Sequence, residues 1–314
     1  MNKIIVLIIL FFQNTLCFSQ NIYTDIQGKD VNDFINDYKI NPFRIIIKPV
    51  NSAGSDSVFL CENIEDLERR FNEIIGTRNK LNIINNRVLI QEYLVGDEYI
   101  IDTVSLDGNH KVAAVWKYDK RKYKESNFVY YGQVPVNTNE EYYEEMLNYV
   151  FNVLDILNIK NGAGHSEIIL TLRGPYLVET GARCQGSEGT FMELANIIWG
   201  YNQVEMFVSS LIKKENFEKY YKVPINNTLY GYKLDLISNK VGILKKINDK
   251  EKVRIMRLQS FVKFDILPKI GQNMQITCDL FTNVGSVTLV HKNKKQLYLD
   301  IIKLRKYEKN MFIV

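Results

Sequence analysis

Two acids on one short hairpin constrain this 314-residue chain more than any other feature. The segment Gly-Ala-Gly-His-Ser-Glu ends at Glu167 and leads into the apolar run Ile168–Leu172. A second apolar run, Tyr176-Leu177-Val178, ends at Glu179. Arg173-Gly174-Pro175 between them reads as a tight turn joining two strands. A hairpin of that length sets Glu167 and Glu179 side by side at one end. Two carboxylates held together repel unless a cation lies between them. Hard oxygen ligands of this kind suit magnesium, which keeps waters and also takes substrate phosphates. Arg183, four positions past the second acid, offers a guanidinium that can grip phosphate oxygens in bidentate fashion. Without such ligands the same segment is a solvated hairpin with exposed acids.

A second element lies upstream. Arg44-Ile45-Ile46-Ile47-Lys48-Pro49 is a β-branched run that ends in a lysine, and Asn51–Ser57 follows it directly before Val58-Phe59-Leu60. Two strands thus flank a small-residue loop. Gly54 lets backbone N–H groups approach an anion closely, and Ser52 and Ser55 add donors. Lys48 can reach the same anion as a mobile point charge. Neither a Walker loop nor a Gly-x-Gly-x-x-Gly turn is present. An ordinary hairpin loop remains the plain alternative.

A third element runs from Val88 to Asp102, a strand, a connector at Gly96 and an alternating strand. Such a connector can show its backbone polar groups to an adenine edge. Glu98 then lies near enough to accept ribose hydroxyls, or else faces water at a strand edge.

These three elements in this order resemble the ATP-grasp superfamily, and within it the carboxylate–amine ligases of the L-amino-acid ligase type. The matching phrases are Ile-Lys-Pro-x-x-Ser-Ala-Gly-Ser-Asp-Ser-Val, Gln-Glu-Tyr-Leu-x-Gly-x-Glu-Tyr, Gly-His-Ser-Glu and Gly-Pro-Tyr-Leu-Val-Glu-x-Gly-Ala-Arg. The resemblance is strong from about Ile22 to Leu211 and looser over the last hundred residues. It implies an α+β ATP-grasp fold in which two α+β subdomains grip ATP and Mg2+, with a small β-rich C-terminal domain. It implies that Lys48 contacts the ATP phosphates and that Ser52–Ser57, with Gly54 and Ser55, folds over them. The backbone near Glu92, Tyr93 and Leu94 would hold adenine, and Glu98 the ribose. Glu167 and Glu179 would hold magnesium, and Arg183 would stabilise an acyl phosphate and a tetrahedral intermediate. Many members of the superfamily carry Glu-x-Asn at the second metal position; here Gly181 stands where that Asn would be. The chemistry implied is formation of an acyl phosphate from a small carboxylate and ATP, then displacement of phosphate by an amine, with amino acids as the expected substrates.

Composition is consistent with a chain of ordinary globular type. Hydrophobic residues make up 46% and charged residues 24%, enough for a real core over two ordinary domains. A net charge of +4, spread along the chain, gives no footprint for nucleic acid. The lysine-rich stretches 245–252 and 292–295 read as solvated faces. The four cysteines, Cys17, Cys61, Cys184 and Cys278, form no CxxC pair, so neither zinc nor a redox motif is suggested. His165, two residues before Glu167, shares its strand face, as a partner of the site or as a packed core histidine.

The N-terminus has two readings. Lys3 followed by Ile4–Phe12 resembles a signal peptide, too short to span a bilayer, which would make the protein secreted. In ATP-grasp enzymes an Asn-Lys opens a helix some forty-odd residues before the Lys-Pro strand. Lys3 stands 45 positions before Lys48, which would make it a second ATP lysine in a cytoplasmic protein. The usual N-terminal domain of the family has no counterpart in the sequence, so a truncated enzyme or one half of a split pair with a separate N-terminal partner is expected. Homo-oligomerisation is compatible with the sequence.

The expected organisation is an apolar segment over 1–21, a lid subdomain over 22–95, a metal-binding subdomain over 96–214 and a β-rich domain over 215–314. Helices are expected over Asp30–Tyr38, Ile64–Gly76 with Asn63 as cap, Glu140–Leu157 and Glu193–Ile212. A hairpin is expected through Asp107-Gly108-Asn109. Tyr118–Asn137 reads as a mobile loop near the substrate entrance or a plain surface excursion. Short strands are expected at Leu229–Leu236, Gly242–Ile247, Arg254–Val262 and Gly285–His291. Three functions fit: an ATP-dependent ligase, an ATP- or partner-binding protein that kept the fold without activity, or a secreted binding protein.

Overall fold

A computed structural model describes residues 21–24, 44–123, 126–136, 138, 140–220 and 228–314. The expectations for Lys3, for a helix or leader over the first twenty residues and for the helix Asp30–Tyr38 lie outside the described residues. The chain divides into two compact units. One comprises residues 1–95 with 122–129 and 279–281; the other comprises 96–121, 130–278 and 282–314.

In the first unit, β1 (Asn21–Thr24), β2 (Ile45–Pro49), β3 (Phe59–Cys61) and β4 (Val88–Glu92) form an antiparallel sheet in the order β1-β4-β2-β3. Alternation along β2 buries Ile45 and Ile47 and leaves Lys48 on the opposite face. Leu67 and Ile74 of the helix Ile64–Ile74 pack with Ile45, Ile47, Val88 and Ile90. Asn63 caps that helix by accepting the Asp66 N–H at 2.7 Å, as the sequence leads one to expect.

In the second unit, apart from residues 122–129 at the adjoining ends of β6 and β7, β5 (Asp97–Leu106), β6 (Asn109–Tyr123), β7 (Ser126–Pro135), β8 (Gly162–Thr171), β9 (Gly174–Gly181), β10 (Tyr230–Asp235), β13 (Phe261–Ile266) and β15 (Ser286–His291) make one sheet, ordered β13-β15-β10-β7-β6-β5-β8-β9. Two small ladders stand apart from it, β11 (Gly242–Ile243) with β14 (Asn273–Met274) and β12 (Lys246–Ile247) with β16 (Phe312–Ile313). One face of β5 carries Tyr99 and Ile101, which pack beneath Met146, Leu147, Val150 and Leu154 of the helix Tyr143–Ile156. The other face carries Ile100 and Val104, which pack with Trp116 against Phe191, Leu194, Ile198 and Trp199. The period of two along the strand therefore divides the unit into a sheet with helices on both sides. The strands of the last hundred residues extend this same sheet, and Leu234, Leu236, Val287 and Leu289 meet Ile255, Leu297 and Leu304 in a further core.

Three expectations need correction. Tyr118–Asn137 is not a loop: most of it is β6 and β7. Its polar side chains concealed the strand, because Tyr118 and Lys120 turn inward onto other charges instead of outward to water. The single helix expected over Glu193–Ile212 is two, Met192–Trp199 and Gln203–Ile212. Gly200 ends the first at φ 82°, the left-handed conformation that favours glycine, and Asn202 caps the second by accepting the Glu205 N–H. The strand expected at Arg254–Val262 begins only at Phe261: Arg254–Met256 close the helix Asp249–Met256, whose Asn248 cap and Glu251–Arg254 ion pair favour the helical turn, and residues 257–260 form the turn between them. A helix at Lys294–Glu308, capped by Asn293, is one the sequence reading does not include, and its first lysines are exposed, as expected of a solvated face. No helix among the described residues is long and apolar enough to cross a membrane.

One glycine at the foot of β5 is obligatory. A Cβ on Gly96 would stand 2.0 Å from the carbonyl oxygen of Leu170, a backbone atom that cannot swing aside. Gly96→Ala is expected to lower stability by about 1–3 kcal/mol through this overpacking. Urea unfolding of the two proteins measures it, and an unchanged midpoint would show that the approach is not tight.

Candidate active site

The acidic hairpin combines a two-residue connection with a β-bulge that brings its two acids opposite one another. β8 and β9 join through Leu172 and Arg173, and this short connection sets the register. Glu167 lies directly opposite Glu179, with a register irregularity immediately after the pair. Glu167 is buried and Glu179 exposed. Among the described residues no group of three or more His, Cys, Asp and Glu side chains is gathered to hold a metal by itself. Two adjacent carboxylates nevertheless suit magnesium, which takes one or two of them and completes its shell with water and phosphate oxygens.

Around Glu167 lies a buried polar cluster contributed by neighbouring strands. Tyr118 Oη donates to Glu167 Oε1 at 2.7 Å. His165 Nε2 stands 3.5 Å from the same oxygen, and His165 Nδ1 contacts Asp102 Oδ1 at 2.8 Å. Asp102, wholly buried, accepts a second bond from Trp116 Nε1 at 3.0 Å. Lys120 Nζ reaches Glu98 Oε1 at 2.5 Å and lies over the rings of Tyr118 and Tyr130, 4.2 and 4.5 Å from their centroids. The register explains the convergence: Asp102 pairs with His165, and Ile100 pairs with both Glu167 and Trp116.

The electrostatics follow from burial and from the balance of signs. Burial alone would raise the Glu167 carboxyl, but the Lys120 ammonium and the His165 and Tyr118 hydrogen bonds hold it well below the usual range. Glu98 goes the other way. Burial, aided by the charge on Glu167 and opposed by Lys120, pushes it up to about 7. Burial disfavours the Lys120 ammonium, yet Glu98 and Glu167 keep it well above its ordinary value. Burial likewise disfavours the charged His165 ring, but its bonds to Asp102 and Glu167 lift it to about 10.

His165 therefore has a stability consequence with a definite sign. A base whose folded pKa is raised contributes stability that is complete below its unfolded value, here 6.5, and disappears as pH climbs through about 10. Stability is expected to fall between pH 6.5 and pH 10 by on the order of a few kcal/mol, at about 1.4 kcal/mol per unit, and the melting temperature falls with it. His165→Asn should flatten that slope. Parallel slopes in the two proteins would show that the imidazole is not held charged.

Arg183 is positioned by its own loop. Its N–H donates to Gly181 O, and its Nη1 donates to Cys184 O, each at 2.9 Å. The Gln185 N–H donates to Gln203 Oε1 at 2.8 Å, while Gln203 Nε2 donates to the carbonyls of Thr103 and Gly164. A buried glutamine thus ties this loop to β5 and β8. Gly181 pairs with His165, and a Cβ there would stand 3.4 Å from the Arg183 side chain. Alanine fits at ordinary contact distance, but a larger residue displaces the guanidinium. Gly181→Asn is expected to leave melting within a degree or two while weakening any function of Arg183; unaltered function would mean that Arg183 has room to move. Burial, followed by the charge of Asp102, raises the Cys184 thiol, which argues against a nucleophilic cysteine.

In the first unit the Asn51–Ser57 loop carries three positive φ angles, Gly54 at 63°, Ser55 at 61° and Ser57 at 55°. Buried Asp56 ties it down, accepting Ser52 Oγ and the Lys80 N–H, both at 2.8 Å, and Ser57 Oγ at 3.2 Å. The Ser52 hydroxyl proton is thus directed at Asp56. Gly54 lies against Leu280 and Phe281, where a Cβ would come within 3.0 Å of the Phe281 ring. In β4 and beyond it, Glu92 is exposed, Tyr93 and Leu94 are half-buried, the Tyr93 N–H donates to Arg44 O, and the Arg44 guanidinium lies over the Tyr93 ring.

Within the second unit, Glu98 lies on β5, Glu167 on β8 and Glu179 on β9, and Arg183 follows just past the end of β9. Lys48, Ser52, Gly54, Ser55, Glu92, Tyr93 and Leu94 belong to the first unit. Sequence reasoning missed Lys120, Tyr118, Asp102 and Gln203. Alternation of Trp116, Tyr118 and Lys120 at every second position was the available signal.

Residues 41–190 match the family model described as the ATP-grasp domain. That stretch is an ATP-grasp domain. Its α+β fold agrees with solved ATP-grasp enzymes. The L-amino acid ligase from Bacillus licheniformis aligns at a TM-score of 0.66 and 19% identity, covering 87% of this chain and 64% of that one. The biotin carboxylase domain of the Hydrogenobacter thermophilus 2-oxoglutarate carboxylase, solved with MgADP and bicarbonate, aligns at 0.60 and 14%, covering 87% and 59%. Among curated proteins, the dapdiamide A synthase of Enterobacter agglomerans is 24% identical over 278 residues. That match takes in 85% of this chain and 62% of the relative, so the ATP-grasp chain spans less than two thirds of the relative's length.

Proposed function

We propose that this chain is an ATP-dependent carboxylate–amine ligase that forms an amide bond through an acyl phosphate, with amino acids among its substrates. The observation that carries the reading is the cross-strand pair Glu167–Glu179, bordered by Lys120 and by Arg183 over Gly181. The ATP-grasp domain and the likeness to an L-amino acid ligase and to dapdiamide A synthase support it.

In this reading Glu167 and Glu179 hold magnesium, which supplies charge neutralisation for phosphoryl transfer. Lys48 and the backbone of the Gly54 loop bind phosphate oxygens, the strand end at Glu92–Leu94 binds adenine, and Glu98 accepts a ribose hydroxyl. The substrate carboxylate oxygen attacks the γ-phosphorus and ADP departs. The amine nitrogen then attacks the acyl carbon, and phosphate leaves with the bonding electrons and takes up the proton that the nitrogen sheds. Positioning and electrostatic preorganisation carry such transfers, with little covalent work for the protein. Arg183 stabilises the negative charge that develops on the acyl phosphate and the tetrahedral oxygen. The need for ATP as substrate favours the cytoplasm.

Calorimetric titration of Mg-ATP into wild type and Glu179→Ala, followed by an ADP-release assay with pairs of amino acids, tests the reading. Binding by wild type that is much weakened in the variant, together with amino-acid-dependent ADP release, is expected. Equal binding by both proteins would remove the metal assignment. Binding without any amide product would leave a nucleotide-binding protein instead.

A further inference from the structure

Asp102 and His165 form a buried acid–imidazole pair that the proposed chemistry does not itself use. Asp102 is wholly buried, and each of its oxygens has a donor, Oδ1 from His165 Nδ1 and Oδ2 from Trp116 Nε1. Trp116 is itself fixed edge-on against Phe191 and Trp199, with ring centroids 6.4 and 4.9 Å away. Asp102 and His165 are direct cross-strand partners, so the imidazole is held at both its backbone and its Nδ1. Its other nitrogen faces Glu167 Oε1, the oxygen that also receives the Tyr118 hydroxyl. One hydrogen bond and one ion-pair contact on the same oxygen restrain the rotation of the carboxylate.

Burying an acid–imidazole pair is costly compared with filling the same space with apolar side chains, so stability alone is a weak reason for it. The asymmetry of the hairpin supplies a better one. Glu179 is exposed on an edge strand, whereas Glu167 is buried and held by a relay three residues deep. We infer that Asp102 and His165 are positioning residues that aim the Glu167 carboxylate, through the Nε2 of His165, at the divalent cation it shares with Glu179. The inference rests on the ligase reading of the same hairpin. Outer partners that orient a ligating group commonly change metal affinity by about 10- to 100-fold.

The test compares two substitutions that divide the imidazole into halves. Gln at 165 can place an amide N–H where Nε2 stands, toward Glu167, but loses the Nδ1 contact. Asn can keep a donor toward Asp102 but does not reach Glu167. Mn2+ binding to the full chain in saturating ADP, followed by its electron paramagnetic resonance spectrum, is measured for wild type, both variants and Glu179→Ala. His165→Asn is expected to weaken Mn2+ about 10- to 100-fold and alter its spectrum, with ADP affinity in the absence of metal unchanged. His165→Gln should restore most of the binding. Wild-type binding by His165→Asn, or equal or greater loss in His165→Gln, would overturn the inference in favour of a purely structural pair. Should His165→Asn fail to fold, Asp102→Asn takes its place, with weakened Mn2+ expected and undiminished Mn2+ fatal. If Glu179→Ala binds Mn2+ as wild type does, the metal-site reading itself falls, whatever the His165 variants do.

Discussion

Replacing Lys120 by methionine is expected to cost about 3–5 kcal/mol of stability at pH 8 and markedly less at pH 5. The size follows from burial. Lys120 and Glu98 are 13% and 14% exposed, and the ammonium balances Glu167 as well as Glu98. Removing it leaves two carboxylates facing one another in a site that water reaches poorly. The pH dependence follows from the sign. Glu98 already has its carboxyl pushed up to about 7 with Lys120 present, and removing that cation raises it further. An acid whose folded pKa exceeds its unfolded value of 4.5 burdens the fold progressively as pH rises above 4.5. Near pH 5 Glu98 takes a proton, and the penalty subsides. Denaturant unfolding of both proteins at the two pH values measures the difference. An equal loss at both would mean that Lys120 acts through its packing on Tyr118 and Tyr130 and not through charge.

Arg183→Ala should act on rate and leave stability nearly untouched. The side chain is exposed and contacts a backbone carbonyl, so its removal orphans no buried group. Its guanidinium lies over Gly181, opposite His165 and two positions past Glu179. If it meets charge that develops during transfer, the loss should be about 10²–10³-fold in kcat, with the KM for ATP changed only a few-fold. Lysine should recover little, because a point charge lacks the planar fork that grips two oxygens at once. Steady-state kinetics of amide formation, with melting curves alongside, separate the cases. A rise in KM alone at constant kcat would assign Arg183 to substrate binding and not to the transition state.

The two experiments probe different depths of one sheet. Glu179 and Arg183 lie exposed at its outer edge, where substitutions are expected to have little effect on folding. Glu167, Lys120 and His165 lie within it, where charges are balanced in pairs and removing one leaves another exposed to a low dielectric.

Local chemistry made a good part of this legible in advance. The turn between Leu172 and Gly174 is too short to permit more than a narrow choice of register, so the hairpin and the nearness of its two acids were legible in the spacing, but only a bulge after Glu167 brings Glu179, in place of Val178, directly opposite it. Asn63 before an amphipathic run specified a helix start, and the period of the isoleucines around Lys48 specified which face that lysine would take. Such features depend on neighbours within a few residues, and a linear sequence states them. Tyr118–Asn137 was opaque for the opposite reason. An inward-facing lysine has the same spelling as an outward-facing one, and only the arrival of Glu98 and Glu167 from other strands turns Lys120 toward the interior. The Asp102–His165–Glu167 relay depends likewise on β5 lying between β6 and β8, an order set by long-range pairing that no local pattern records. The sequence by itself determined the hairpin and its two acids; the tertiary structure decided which other charges would share their surroundings, because burial and Coulomb energy depend on where strands meet in space.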